Sequence, residues 1–168
     1  MSQAVKIAVV AQIVGDTPPV PALPLAPVIA LPKLLTTHPA DPTKPALFNG
    51  RKSDFPPVYD CLTYRLTQAT PNKSFRPGLV RPGTPSVYKQ GVEDFYLDCE
   101  AWTQTPDSGP LDAINARLDA LFHEQAFPTT DGPVFYTERL LRETDLYDKT
   151  LKAWFSLSRY RLRLQYQS

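Results

Sequence analysis

Residues 91 to 103, GVEDFYLDCEAWT, alternate in character: Phe95, Leu97, Cys99 and Ala101 share one face, and Tyr96, Asp98, Glu100 and Trp102 the other. That period of two is the signature of a strand with one buried face. Residues 152 to 166, KAWFSLSRYRLRLQY, repeat it, with Tyr160, Leu162 and Leu164 opposed to Arg159, Arg161 and Arg163. A third alternating run, 58 to 68, sets Leu62, Tyr64 and Leu66 against Cys61, Thr63, Arg65 and Thr67. Between the first two runs the period changes to that of a helix. Leu111, Ile114, Leu118, Leu121 and Phe122 form one stripe, opposite Asp112, Asn115, Arg117 and Asp119, so one side is expected to be buried and the other wet. Asp107, Ser108 and Pro110 precede it in the manner of a helix start. Residues 134 to 142 read as a less regular strand, and Asp145, Asp148 and Lys149 as the turn that follows. The β-branched run 4 to 14, AVKIAVVAQIV, reads as one more strand.

This order predicts an α+β fold: a mainly antiparallel β-sheet with one principal amphipathic helix packed on one face. Two segments stand outside the pattern. Residues 17 to 45 carry nine prolines, Pro18, Pro19, Pro21, Pro24, Pro27, Pro32, Pro39, Pro42 and Pro45, too many lost donors for a long helix or a central strand. They are expected to form a stiff, proline-rich N-terminal arm with at most a helical turn near residues 28 to 37, its apolar side chains lying on another surface. Residues 69 to 90 form a long loop that should project from the end of the sheet. The division expected is therefore an N-terminal strand and arm over residues 1 to 45, and an α+β body over 46 to 168.

Composition narrows the classes. With 168 residues the chain suits one domain. Eighteen basic and seventeen acidic residues leave a net charge of +1, so no bulk field draws it to nucleic acid or an anionic membrane. Two cysteines, Cys61 and Cys99, do not make a disulfide framework and are expected as buried, reduced thiols. Lys6 lies within the first apolar run instead of ahead of it, which reads as a strand or arm of a cytoplasmic protein and not as a signal peptide.

Candidate chemistry is sparse. Asp98 and Glu100 are near enough for an acid/base pair, but a row of arginines on a neighbouring strand makes cross-strand pairing the better reading, a sheet-face charge network of Asp98, Glu100, Arg159, Arg161 and Arg163. His38 and His123 lack ligand spacing, and Ser156 and Ser158 lack a nucleophile elbow. No catalytic, cofactor or metal site is expected. In the long loop, Lys73, Phe75, Arg76, Arg81, Tyr88 and Lys89 could meet phosphate and stack on bases, or line an interface or lumen between protein subunits.

Taken together, ALFNGR (46 to 51), PVYDCLTYRLTQATP (57 to 71), FYLDCEAWTQTP (95 to 106), LDAINARLDALF (111 to 122) and TDLYDKTLKAWFSLSRYRLRL (144 to 164) resemble the tail terminator, or tail completion, proteins of long-tailed bacteriophages. The likeness covers about residues 28 to 166 and lies in the order of elements: early helix, strand, loop, strand, helix, two closing strands. Pro27 and Pro32 interrupt the place of the early helix, and residues 1 to 25 have no counterpart. The resemblance implies a virion structural protein without enzymatic activity or cofactor. Such a protein forms a ring, a hexamer, at the neck end of the tail; it caps the tail tube, stops its polymerisation and meets the head-tail connector, with DNA passing through the lumen and assembly taking place in the host cytoplasm. Another connector or tail-tube-like ring protein is the nearest alternative. A nucleic-acid-binding module using the 69 to 90 loop is the rival from another class, and a small hydrolase using Asp98 and Glu100 the third.

Overall fold

The structure, a computed structural model, describes residues 2–18, 28–69 and 92–165. It is α+β, with a curled, mostly antiparallel sheet and one main helix. Six strands form that sheet: β3 (Leu47–Asn49), β4 (Cys61–Gln68), β5 (Val92–Thr103), β6 (Phe127–Thr129), β7 (Gly132–Asp148) and β8 (Ala153–Gln165). Their spatial order is β3-β4-β5-β8-β7-β6, and only the β3–β4 pair is parallel. Two further short strands, β1 (Thr37–His38) and β2 (Asp41–Pro45), make a separate hairpin.

The period-two pattern becomes register directly. Leu62 sits opposite Ala101, Leu97 opposite Tyr160, and Phe95 opposite Leu162, so one sheet face is mainly apolar, with Ser156 and Ser158 buried in it. The main helix, α3 (Gly109–Phe122), lays Leu111, Ile114, Leu118 and Phe122 on that face. Asp107 braces its start by accepting the Gly109 N–H at 3.1 Å; Ser108 occupies the cap position without a side-chain hydrogen bond.

The expected strand over residues 4 to 14 is instead a helix, α1 (Ser2–Val14). Val5, Ala8, Val9 and Ile13 fall on one helical stripe, and all are buried in the main core. The β-branched residues cost a helix only a few tenths of a kcal/mol each, which burial of this stripe outweighs. Gly15 then closes the last turn, its N–H 2.9 Å from the Ala11 carbonyl, where an added Cβ would lie 2.8 Å from that oxygen.

The arm also needs correction. A helical turn, α2 (Leu31–Leu34), forms inside the expected stretch, but Leu31 and Leu35 are buried in the chain's own core rather than held out to another surface. Pro42 and Pro45 lie within β2, whose outward edge tolerates missing donors. Packing thus crosses the boundary expected at residue 45. Residues 19–27 of the arm and 70–91 of the long loop lie outside the described residues.

The end of β7 differs too. The strand continues through the turn expected at Asp145, which adopts φ 58° inside a bulge, and the chain reverses after Asp148.

Candidate functional site

Three arrangements of polar groups and one groove stand out, and the first is the predicted charge network. On the face away from α3, Asp98 is directly opposite Arg159 and Asp94 opposite Arg163. Arg159 grips Asp98 with two bonds, Nε to Oδ1 at 2.6 Å and Nη2 to Oδ2 at 3.0 Å, and Arg65 approaches the same carboxylate to 3.9 Å. Arg163 Nε donates to Asp94 at 3.1 Å, and Arg161 pairs with Glu138 on β7. The Asp98 side chain is 7% exposed against 47% for Arg159, so the carboxylate lies under a guanidinium lid. That hydrogen bond holds the Arg159 pKa above its usual value.

Glu100 makes no ion pair among the described residues; it accepts the Thr63 hydroxyl at 3.2 Å. The two carboxylates read as a conceivable acid/base pair therefore have separate, filled roles. Because each arginine of the row has its own carboxylate, the face presents a balanced ladder rather than a bare cationic surface.

A second network lies beneath α3, on the side expected to be wet. Arg142 of β7 donates through Nη1 and Nη2 to both oxygens of Asp119, at 2.7 and 2.9 Å, through Nε to Ser158 at 3.1 Å, and to the Asn115 carbonyl at 3.2 Å. The Tyr160 hydroxyl donates to Asp119 at 2.8 Å, and Arg139 pairs with the same carboxylate. Burial, with the nearby Cys99 and Asp119, raises the Tyr160 pKa far above its usual value. Next to it Ser156 donates to Asn115 Oδ1 at 3.0 Å. This cluster clamps the helix to the sheet. Most of its polar atoms are spent on one another, with Asn115 Nδ2 left without a partner among the described residues.

Asp16 does the same for α1. Its carboxylate accepts the Leu31 N–H at 2.7 Å and two bonds from Arg117 at 2.5 and 3.1 Å, tying the end of α1 to the start of α2 and to α3.

The third arrangement is a smaller core on the outer face. Phe48, Cys61, Trp102 and Ala153 are buried there against Phe55, Tyr59 and Phe155. Lys52 is 2% exposed within it. Its ammonium donates to the Pro56 carbonyl at 2.5 Å and lies 4.7 Å from the Tyr59 ring and 5.7 Å from the Phe48 ring, partners that make a buried cation tolerable. Desolvation lowers its pKa and pushes the Cys61 thiol up to about 11. Cys99, fully enclosed on the other face, is shifted upward further for the same reason. Both cysteines are free, and both are kept in the protonated, unreactive form.

Finally, α1 and the β1–β2 hairpin enclose an open apolar groove of about 720 Å³ at the β3 end of the sheet. Ile7, Val10 and Val14 form one wall, Leu47 and Tyr64 the floor, and Pro45 with Lys44 the opposite rim.

The sequence located Asp98 and the arginine row of the outer-face ladder, but Glu100, expected in it, bonds to Thr63 instead, and the carboxylates that complete it, Asp94 and Glu138, were not foreseen. It did not locate the Asp119–Arg142–Tyr160 clamp, the Lys52 cage or the groove, each of which joins residues from elements far apart in the chain. The interface or lumen candidates Lys73, Phe75, Arg76, Arg81, Tyr88 and Lys89 lie outside the described residues. Among the described residues no three His, Cys, Asp or Glu side chains gather as a metal site would require, and no helix is long and apolar enough to cross a membrane. A scan against protein-family models and a search of curated proteins each find no match to this chain.

Proposed function

We propose that the chain is a virion structural protein of the tail terminator type. Its subunits close into a ring, six by the family resemblance, on the last ring of the tail tube; the ring stops polymerisation and offers its other surface to the head connector. The observation that carries this reading is the order of elements. Turn α2, strand β4, strand β5, helix α3 and the closing pair β7 and β8 stand in the order that the resemblance implies. Helix α1 lies outside the stretch that the resemblance covers, and the short turn α2 stands at the early helix's place, cut by Pro32.

The pairing of Asp98 with Arg159 and of Asp119 with Arg142, Arg139 and Tyr160 supports a scaffold over an enzyme, since both carboxylates are already engaged. The balanced outer ladder weighs against a nucleic-acid module built on that face. A connector or tail-tube-like ring would share the same subunit architecture and differ in partner. The test is to add the purified chain to polymerising tail-tube protein and image the products by electron microscopy. Tubes of limited length with a ring at one end are expected; tubes that grow as long as in its absence overturn the reading.

A further inference from the structure

The two edges of the main sheet are unlike. At the β3 end lies the groove, with Ile7 60% exposed on its rim. Near that edge stand two cations without a carboxylate partner among the described residues: Arg51, which follows β3, and Lys6, which lies 2.8 Å from the Asn49 amide in the orientation that satisfies both groups. At the other end, β6 covers only residues 132 to 134 of β7. The segment after α3 bonds to Thr137 and Arg139, and past Arg139 the outer backbone edge of β7 has no partner among the described residues. That stretch exposes Leu140 (45%) and Leu141 (39%), followed by Glu143 and Asp145, anions without a cation partner among the described residues and ahead of Lys149 and Lys152 in the next turn.

Long exposed edges carrying apolar side chains invite another chain, and bulges are a common device against plain strand addition. β7 has bulges on both sides of this stretch, between Arg139 and Leu141 and between Glu143 and Leu146. A partner would therefore meet it through side chains more than through a continued ladder. The apolar groove is concave, open and large enough for several large side chains; the charges in its own lining, Asp41 and Lys44, pair with each other at 2.8 Å, and Lys6 and Arg51 at the same edge of the sheet match the anions that follow the leucines.

We propose that the groove between α1 and the β1–β2 hairpin receives Leu140 and Leu141 of a second copy of this chain. The contact is head to tail, because groove and leucines lie at opposite edges of one sheet, and repetition of a head-to-tail contact closes a ring or propagates a filament. This inference deepens the ring reading and rests on it.

Paired variants test it. Ile7→Asp blocks the groove and Leu140→Asp blocks the edge; both positions are exposed in the single chain, so circular dichroism should match the wild type. By sedimentation velocity on the full chain, each variant alone should self-associate at least about tenfold more weakly than the wild type, the loss of one interface anchor. Mixed in equal amounts, they should form a dimer and nothing larger, since each keeps the surface the other lacks. Variants that assemble as the wild type does, a mixture that yields no dimer, or a wild type that stays monomeric at the highest concentration reached each overturn the inference. Tube capping by a chain whose variants still form rings would leave the terminator reading standing and remove only this interface.

Discussion

Two arginine–carboxylate systems sit on opposite faces of the same sheet and do different work. The outer ladder, Asp98–Arg159 and Asp94–Arg163, joins residues already held in register by the strands. The inner clamp, Asp119–Arg142–Tyr160, joins a helix to two strands that nothing else orients so directly. The exposed Asp94–Arg163 pair adds little, because water serves its separated charges nearly as well; Asp98, 7% exposed, is the buried member of the ladder. Arg142 also serves Ser158, the Asn115 carbonyl and the Tyr160 hydroxyl, so its removal strips several buried groups of their partner even though Arg139 stays on Asp119. The ladder thus keeps an exposed face polar and charge-balanced, while the clamp fixes the helix that closes the core.

The largest effect expected comes from neither system. Deleting residues 2 to 14 removes Val5, Val9 and Ile13 from the core, and the remaining chain should fail to show a cooperative thermal transition. A truncated chain that melts as sharply as the intact one would return α1 to the status of an arm. The single substitution Ile13→Ala should cost about 3 kcal/mol by urea unfolding.

The comparison itself is sharpened by removing one arginine from each face. Arg142→Ala should destabilise by about 2 to 3 kcal/mol, leaving Asp119 and Tyr160 without their shared cation. Arg163→Ala should cost no more than about 1 kcal/mol, and less in high salt. Equal losses would show that the two networks are not different in kind.

A smaller effect concerns pH. In the folded chain the Cys61 thiol ionises near 11 against 9.0 for a free thiol, so between those values the folded state holds a proton that the unfolded state has released. Stability should then fall as pH rises from about 9 to 11, and show no dependence on this group below 9. Cys99 and Tyr160, both shifted upward, act in the same direction, and Lys52, shifted downward, acts against them. In Cys61→Ala the decline, followed by urea unfolding at several pH values, should be shallower. An unchanged slope would mean that this thiol's burial is not part of the alkaline response.

What the sequence made legible follows from range. β4, β5 and β8 alternate cleanly, because each has one face on the core and the other holding charged or polar residues, and the arginine row even marked the phase of β8. The stripe of α3 was equally plain. α1 resembles a strand in sequence because Val5, Val9, Val10, Ile13 and Val14 carry a strand-forming composition, although Val5, Ala8, Val9 and Ile13 keep helical spacing. Asn115 and Asp119 look solvent-facing in the sequence because a polar residue on a helix gives no sign of the arginine that covers it. Arg142 comes from a strand whose bulges blur its period, so the clamp had no local signature. The groove arises only when α1 is a helix, and could not be seen while that segment was read as a strand.

The ring is the central claim, and native mass spectrometry of the concentrated, full-length chain in the presence of tail tubes tests it most directly. A closed species of about six subunits, bound at tube ends, is the predicted result; a chain that remains monomeric with tubes present contradicts the account.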